Sequence, residues 1–452
     1  MKKLLYSTGL LLTACFAQAQ LSPAITSWLQ NTTVTGKYYI QSNFTPQSNT
    51  VVVNCQTVQY SANNVYINTG GVPSYTTGPF LDGNPSNASN QNALFKFPLA
   101  PVQNTNTPTS TTGGDIGIFI NGVAMFDYRD GASWQNSSGT MKGGPLGGMG
   151  DGVWNRDAVP AEKAGFDCAK GHPAMGNYHH HQNPSAFKLD IAVTSTVCSL
   201  YNSDGLYVID SMQHSPLLGF AYDGFPVYGA YGYKNTNGTG GIVRMKSSFG
   251  LRTGMTIRNT YYTSTVTVTS GPNVSATYPL GTFKEDYQFN TPTGPDYLDI
   301  HNGRFCVTPE YPAGTYCYFA TVDANWNSTY PYLIGPTFYG VYANRKVTSV
   351  TETTTIYSAA SGISEQEFNN FNVTVYPNPS NDIVAIQVGS LVRDALSVDL
   401  IDVSGKVIKT TTINAGQTIA FFDLQTVYAG IYFVKISNGN NNLTKKIVVS
   451  KD

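Results

Sequence analysis

The chain has 452 residues, only 12% of them charged, and its formal net charge is −1. This length allows two to four domains, whereas the absence of a Lys- and Arg-rich stripe argues against a nucleic-acid partner. The sequence contains 44 glycines, 30 tyrosines and 24 prolines, a composition that favours strands and turns over long helices. We therefore predict a mainly β protein.

Residues 1–19 have the pattern of a cleavable signal peptide. Lys2 and Lys3 precede a mostly apolar stretch at 4–16, and Ala17-Gln18-Ala19 supplies a small-x-small cleavage site. An alternative is a lipobox at 12–15, which would place cleavage before Cys15. Since no later stretch reaches ~18 consecutive apolar residues, no transmembrane helix is expected.

Residues 20–345 form the first predicted domain, which is large, irregular and rich in strands. Dipeptides such as Asn121-Gly122 and Asp223-Gly224 supply turns between short β-like runs. A short helix is expected near residues 158–164. The runs that predict strands lie at 50–60, 64–68, 115–127, 205–210, 217–229 and 315–321.

Three consecutive histidines, His179, His180 and His181, are the most informative feature of this domain. On an extended strand alternate side chains share one face. His179 and His181 would then project together, with Tyr178 and His180 on the opposite face. Because neutral imidazole binds transition metals well, this pair predicts a metal site, with copper or zinc as the expected ion.

Two imidazoles alone hold a metal poorly, so further ligands are expected from elsewhere in the chain. His172 precedes Pro173 and is not assigned a role. Asp223 could instead have a role in a turn. Asp299 and Glu310 could instead cap turns or pair with Arg304. The predicted additional ligands are His214, His301, Asp223, Asp299 and Glu310.

The cysteines indicate disulfides, because an exported chain folds in an oxidising compartment. Six cysteines are present, and Cys15 lies in the predicted signal peptide, which leaves five. Cys306 and Cys317 are expected to face each other across a hairpin, and Cys168 with Cys198 is the next predicted pair.

Residues 346–370 are predicted to be a linker. Thr, Ser and small residues dominate their first half, and no long apolar pattern follows.

Residues 371–452 predict a small C-terminal β-sandwich. Six or seven short strands fit within this length, and the clearest are at 373–376, 383–388, 397–403, 418–424, 430–436 and 446–449. Residues 402–406 have the composition of a hairpin turn.

This region resembles the type A C-terminal sorting domain of the type IX secretion system. The opening motif Tyr376-Pro377-Asn378-Pro379, the hairpin at 402–407 and the strands at 430–436 and 446–449 carry the resemblance. It implies transport across the outer membrane of a Gram-negative cell by the type IX machinery. The protein is then expected to be secreted or held at the outer cell surface.

The first domain resembles the YHYH family over residues 50–345. The matching stretches lie at 115–123, 153–158, 165–168, 171–173, 219–229 and 302–312. Tyr178, His179 and His181 match the naming motif, whereas His180 replaces its second tyrosine. The family has no settled activity, so the resemblance implies the extent of the domain rather than a mechanism.

Three hypotheses about function remain open from the sequence. The first is a secreted metal-binding β-domain. The second is a metal-dependent hydrolase or oxidase of extracellular polymers, with Asp223 or Glu310 as the general base. The third is a non-catalytic surface module that binds glycans or a partner protein.

Overall fold

The structure is a computed structural model, and its described residues form two compact units. It describes residues 21–43, 45–81, 86–184, 211–261, 267–358, 373–388, 395–403, 405–414, 417–437 and 442–451. The units are Met1–Tyr357 and Ser358–Asp452. Strands greatly outnumber helices among these residues, which confirms the prediction of a mainly β protein. The predicted signal peptide lies outside the described residues.

Two short α-helices and three single 3-10 turns occur in the described part of the first unit. The α-helices are α1 (Pro23–Thr26) and α2 (Ala158–Glu162), and the 3-10 turns are Gly144–Leu146, Lys163–Gly165 and Lys284–Asp286. Helix α2 confirms the short helix predicted near residues 158–164. None of the described helices is long and apolar enough to cross a membrane.

The strands of the first unit are short and follow one another closely. In chain order they are β1 (Thr35–Tyr38), β2 (Gln47–Val52), β3 (Cys55–Tyr60), β4 (Asn64–Thr69), β5 (Ala93–Pro98), β6 (Asp115–Phe119), β7 (Ala124–Phe126), β8 (Arg129–Gln135), β9 (Thr140–Gly143), β10 (Asn155–Asp157), β11 (His172–Ala174), β12 (Asn177–His180), β13 (Leu217–Ala221), β14 (Pro226–Tyr228), β15 (Tyr231–Tyr233), β16 (Ile242–Arg244), β17 (Phe249–Leu251), β18 (Tyr287–Phe289), β19 (Gly303–Cys306), β20 (Thr315–Phe319), β21 (Lys346–Val347) and β22 (Thr355–Tyr357). The strand predicted at 205–210 lies outside the described residues.

Two large sheets build the core of this unit. One has eight strands in the order β11-β12-β7-β6-β13-β14-β20-β19, and the other has five in the order β21-β5-β4-β3-β22. Phe97 of β5 and Phe220 of β13 lie 6.3 Å apart between ring centroids, and the ring of Trp28 lies within 6.1 Å of both. These side chains belong to one buried cluster, so the two sheets share a hydrophobic core.

The first part of the predicted linker contains two strands of the first unit. Strand β21 pairs with β5 and β22 pairs with β3, so residues up to 357 extend the five-stranded sheet. The Thr-rich texture that predicts a linker is also compatible with an edge strand, because β-branched residues favour extended backbone. The rest of the predicted linker, from 359 to 370, lies outside the described residues.

The second unit is a sandwich of a three-stranded and a four-stranded sheet. The sheets have the orders β23-β24-β27 and β26-β25-β28-β29. Its buried side chains, such as Ile386 of β24 and Leu400 of β25, form one separate cluster. The strands are β23 (Val373–Tyr376), β24 (Ile383–Val388), β25 (Leu396–Asp402), β26 (Val407–Ile413), β27 (Ile419–Asp423), β28 (Gly430–Ser437) and β29 (Asn442–Val449). This confirms the predicted β-sandwich.

The Tyr-Pro-Asn-Pro motif links the first strand of this unit to its last strand. Asn378 Nδ2 donates to the Lys446 carbonyl at 3.0 Å, and Asn378 Oδ1 accepts from the Val448 amide at 2.9 Å. The turn after β25 is closed by the Asp402 amide, which donates to the Lys406 carbonyl at 3.0 Å. The predicted hairpin at this position is therefore present.

Candidate metal centre

A tight hairpin places His172 beside His179. Strands β11 and β12 pair antiparallel in a register that puts these two residues opposite each other. Met175 and Gly176, which connect the strands, have φ angles of 49° and 84°, as a type I′ hairpin turn requires. The two imidazole centroids consequently lie 4.6 Å apart.

His179 and His181 project to the same side, as strand alternation predicts. Their Nε2 atoms are 3.1 Å apart. Tyr178 and His180 face the opposite side, where their rings pack edge to face at 5.3 Å. There His180 Nε2 lies 2.9 Å from the hydroxyl of Tyr75.

The hydrogen bonds of His179 and His181 determine which nitrogen carries the proton. His179 Nδ1 lies 2.8 Å from the Asn177 carbonyl, and His181 Nδ1 lies 2.5 Å from the Asp127 carbonyl. Because a carbonyl oxygen can only accept, each Nδ1 must be protonated. In the neutral rings, both Nε2 atoms then direct lone pairs at each other. This arrangement is repulsive unless the two atoms share a cation, either a proton or a metal ion.

Glu162 brings a carboxylate oxygen to the same place. Its Oε2 lies 3.2 Å from His172 Nε2 and 3.1 Å from His181 Nε2. Glu162 is the last residue of α2, a helix that begins at an N-cap formed by Asp157 Oδ1 and the Val159 amide. The helix therefore directs this side chain towards the histidines.

Three of the separations among these donor atoms have the spacing expected between ligands of one metal ion. Donor atoms bound to one ion at ~2.0–2.1 Å lie roughly 2.9 Å apart in square-planar and about 3.4 Å apart in tetrahedral geometry. The observed separations of 3.1–3.2 Å fall between these values. Within the described part of the chain, the imidazoles of His172, His179 and His181 are the one group of at least three His, Cys, Asp or Glu donors that converges within 4.8 Å.

The centre is enclosed, and aromatic side chains hold its rings. The exposed fractions of His172, His179 and His181 are 6%, 1% and 2%. The ring of Phe126 stacks on His179 with 3.7 Å between centroids. Glu162 has a side chain that is 15% exposed, so it forms the more accessible edge of the group.

Burial and mutual contact shift the pKa values at the centre. Burial raises the pKa of Glu162, but the close contacts with His172 and His181 outweigh burial and leave this pKa far below its usual range. Burial, followed by the charges on His181 and His172, lowers the pKa of His179 well below its usual range. Burial lowers the pKa of His181, whereas contact with Glu162 raises it, and the net shift is upward. The group thus offers a carboxylate and a neutral His179, the protonation states that bind metal, whereas the proton that Glu162 favours on His181 would have to be released when an ion binds.

The structure does not bring His214 or His301 to this group. His214 Nδ1 lies 2.8 Å from the Ser215 carbonyl, and its ring packs edge-on against Tyr228 at 5.1 Å. His301 Nδ1 lies 2.8 Å from the hydroxyl of Thr337. Their expected role as ligands of the same ion receives no support from these positions.

The three carboxylates predicted as ligands are also engaged elsewhere. Each of them accepts a hydrogen bond from a tyrosine hydroxyl, at 2.5–2.9 Å. The pairs are Asp223 with Tyr318, Asp299 with Tyr316, and Glu310 with Tyr228. In a chain rich in tyrosine, these three carboxylates thus have phenol donors at their own positions.

His172 and Glu162 are the members of the group that the sequence reasoning missed. A signal for His172 exists, because a two-residue Met-Gly turn sets a register that pairs His172 with His179. Glu162 has no comparable signal, since a helix of five residues shows no periodicity from which its facing side can be read.

The cysteine predictions have different outcomes. Cys306 and Cys317 lie on the paired strands β19 and β20, and their Sγ atoms are 3.3 Å apart, longer than the ~2.05 Å of a disulfide. The structure thus brings the predicted pair together as thiols, and the bond between them stays a prediction. Cys198, the expected partner of Cys168, lies outside the described residues.

Sequence comparisons agree with both units. The sequence model of the YHYH protein family matches residues 94–331, and that of the secretion system C-terminal sorting domain matches residues 374–450. No curated protein matches the chain. The fold and site thus define an exported β protein with a buried histidine group. Since its match covers more than half of the chain, the protein belongs to the YHYH family, and its sorting domain directs it through type IX secretion to the cell surface or the extracellular space.

Proposed function

We propose that this exported protein binds one transition metal ion, zinc or copper, through His172, His179, His181 and Glu162. The observation that carries the proposal is the pair of Nε2 atoms of His179 and His181, which face each other at 3.1 Å while both Nδ1 atoms donate to carbonyls. A metal ion would take the place of a shared proton and convert this contact into two coordinate bonds. Both Nδ1 contacts are of the kind that orients metal-binding histidines.

The ion is proposed to have a structural role. Four protein donors fill a tetrahedral site, whereas catalytic sites keep one position open for water or substrate. The hydrolase or oxidase alternative also needs a general base near the ion, and its two candidates, Asp223 and Glu310, contact tyrosine hydroxyls elsewhere. An ion held by β11, β12 and α2 would instead fasten these elements to one another.

Elemental analysis of the purified full chain after incubation with zinc or copper tests this proposal. We expect one ion per chain in the wild type and less than about a tenth of that in His179→Ala/His181→Ala, because the variant loses two of four donors. The matched control is His214→Ala/His301→Ala, which removes two histidines outside the group and should retain the ion. Stoichiometric metal in the first variant, or none in the wild type, would refute the proposal.

A further inference from the structure

We infer that Asp167 is a positioning residue of the metal centre, an inference that rests on the function proposed above. Asp167 contacts none of the four donors. Its carboxylate instead binds Gly171 and Tyr178, the residues that immediately precede His172 and His179. It thereby fixes the separation of two ligands through the backbone.

The first set of hydrogen bonds made by Asp167 closes the loop before His172. Asp167 Oδ1 accepts hydrogen bonds from the amides of Ala169 at 2.9 Å and Gly171 at 3.1 Å. The Asp167 amide in turn donates to the Gly171 carbonyl at 2.9 Å. These bonds hold the loop in one shape up to the residue where β11 begins.

The second contact of the Asp167 carboxylate is with the phenol of Tyr178. Its hydroxyl lies 3.0 Å from Asp167 Oδ1 and 2.8 Å from Oδ2, and both side chains are fully buried. Oδ2 also accepts from the Gly78 amide at 2.9 Å. With three backbone donors and one phenol donor, the carboxylate has little freedom to move.

Gly171 makes the approach of the phenol possible. A Cβ at this position would lie 2.5 Å from the Tyr178 hydroxyl oxygen and 2.6 Å from Cζ, closer than any side chain tolerates. The tyrosine therefore passes over the bare backbone just before His172. This close contact links β12 to the loop independently of the hairpin turn.

A second Asp–Tyr pair in the same unit supplies a matched control. Tyr318 donates to Asp223 Oδ2 at 2.5 Å, and this oxygen also accepts from the Gly340 amide at 2.8 Å. Both side chains are buried, as in the Asp167 pair. This second pair contacts none of the four proposed ligands. Its variants therefore show how much the loss of a buried Asp–Tyr hydrogen bond alone changes zinc affinity.

The experiment compares Tyr178→Phe and Asp167→Asn with Tyr318→Phe and Asp223→Asn in the full chain. Zinc affinity is measured by chelator competition, and the ligand field is measured from the visible spectrum of bound Co²⁺. Outer-shell substitutions cost ten- to hundredfold in metal affinity. We expect about tenfold weaker zinc binding for Tyr178→Phe, at least that for Asp167→Asn, and changes below about threefold for the two controls.

The Co²⁺ spectrum separates positioning from a general loss of stability. A shifted spectrum confined to Tyr178→Phe and Asp167→Asn supports the inference. Control-like affinities and spectra in both variants would overturn it while leaving the metal site intact. Failure of the wild type to bind either zinc or copper would refute both proposals. Should Asp167→Asn fail to fold, Tyr178→Phe still decides, because it removes one oxygen only.

Discussion

The two faces of strand β12 carry similar side chains but differ in how their polar atoms are paired. On the inner face, Tyr178 donates to Asp167 and His180 meets the hydroxyl of Tyr75, so donors face acceptors. On the opposite, equally buried side, called the outer face here, the Nε2 atoms of His179 and His181 meet at 3.1 Å and would both be acceptors in the neutral rings. Only the contact between the two Nε2 atoms on the outer face needs a shared cation to become favourable.

This difference shows how one short motif can serve two purposes. Alternation places its histidine pair on one face, where we propose that it binds an ion, and its other two positions on the opposite face, where they hold the strand. The replacement of the family's second tyrosine by His180 falls on the inner face. It therefore leaves the proposed donors unchanged.

Removal of the proposed ion should have the largest effect of the three tests, because only the outer face is expected to depend on it. An ion present at ~100 times its dissociation constant stabilises the folded state by about 2.7 kcal/mol. For a unit of this size we expect chelation to lower the Tm by roughly 4 °C, as measured by calorimetry. His179→Ala/His181→Ala should show no response to chelator, and an equal response in that variant would place the ion elsewhere.

Glu162→Gln should have an intermediate effect, because it removes the anionic donor but keeps the shape of the side chain. Zinc affinity is expected to fall in a competition titration by at least the ten- to hundredfold that outer-shell substitutions cost. Glu310→Gln is the matched control, since Glu310 bonds Tyr228 away from the centre. Equal affinities for the two variants would remove Glu162 from the proposed ligand set.

His180→Phe should have the smallest effect on the metal and so mark the boundary between the faces. The variant leaves the Tyr75 hydroxyl without its partner, which should lower the free energy of unfolding by about 1–2 kcal/mol in urea titrations of metal-free protein. Zinc affinity should change by less than about threefold, because the Asp167 contacts remain. A tenfold loss would mean that the inner face is not separable from the outer one.

The second unit was largely predictable because its sheets bury one face each. In β25 buried and less buried residues alternate along the strand, and this period of two is visible in the sequence. Strand β26 was not among the clearest runs because it is an edge strand whose apolar residues are mostly exposed. A strand that buries few side chains does not need a regular apolar pattern, so the sequence does not reveal it.

The candidate metal centre was predictable only where its residues are close together in the sequence. Alternation gives the pair His179 and His181, and hairpin register could have given His172. His214 and His301 were expected to join them because histidines are scarce in the chain, but scarcity carries no spatial information. The position of Glu162 depends on how α2 docks, which long-range packing decides.

All four proposed donors lie within one short stretch of chain, from Glu162 to His181. Because the connections between the donors are short, little chain entropy is lost when one ion links them, and most of the binding energy remains available to hold the elements together. We call these four donors and their ion the clasp. The clasp also lies entirely in the unit before Ser358. Proteolytic release of the sorting domain after export would therefore take away no ligand, and the mature protein would keep its ion outside the cell.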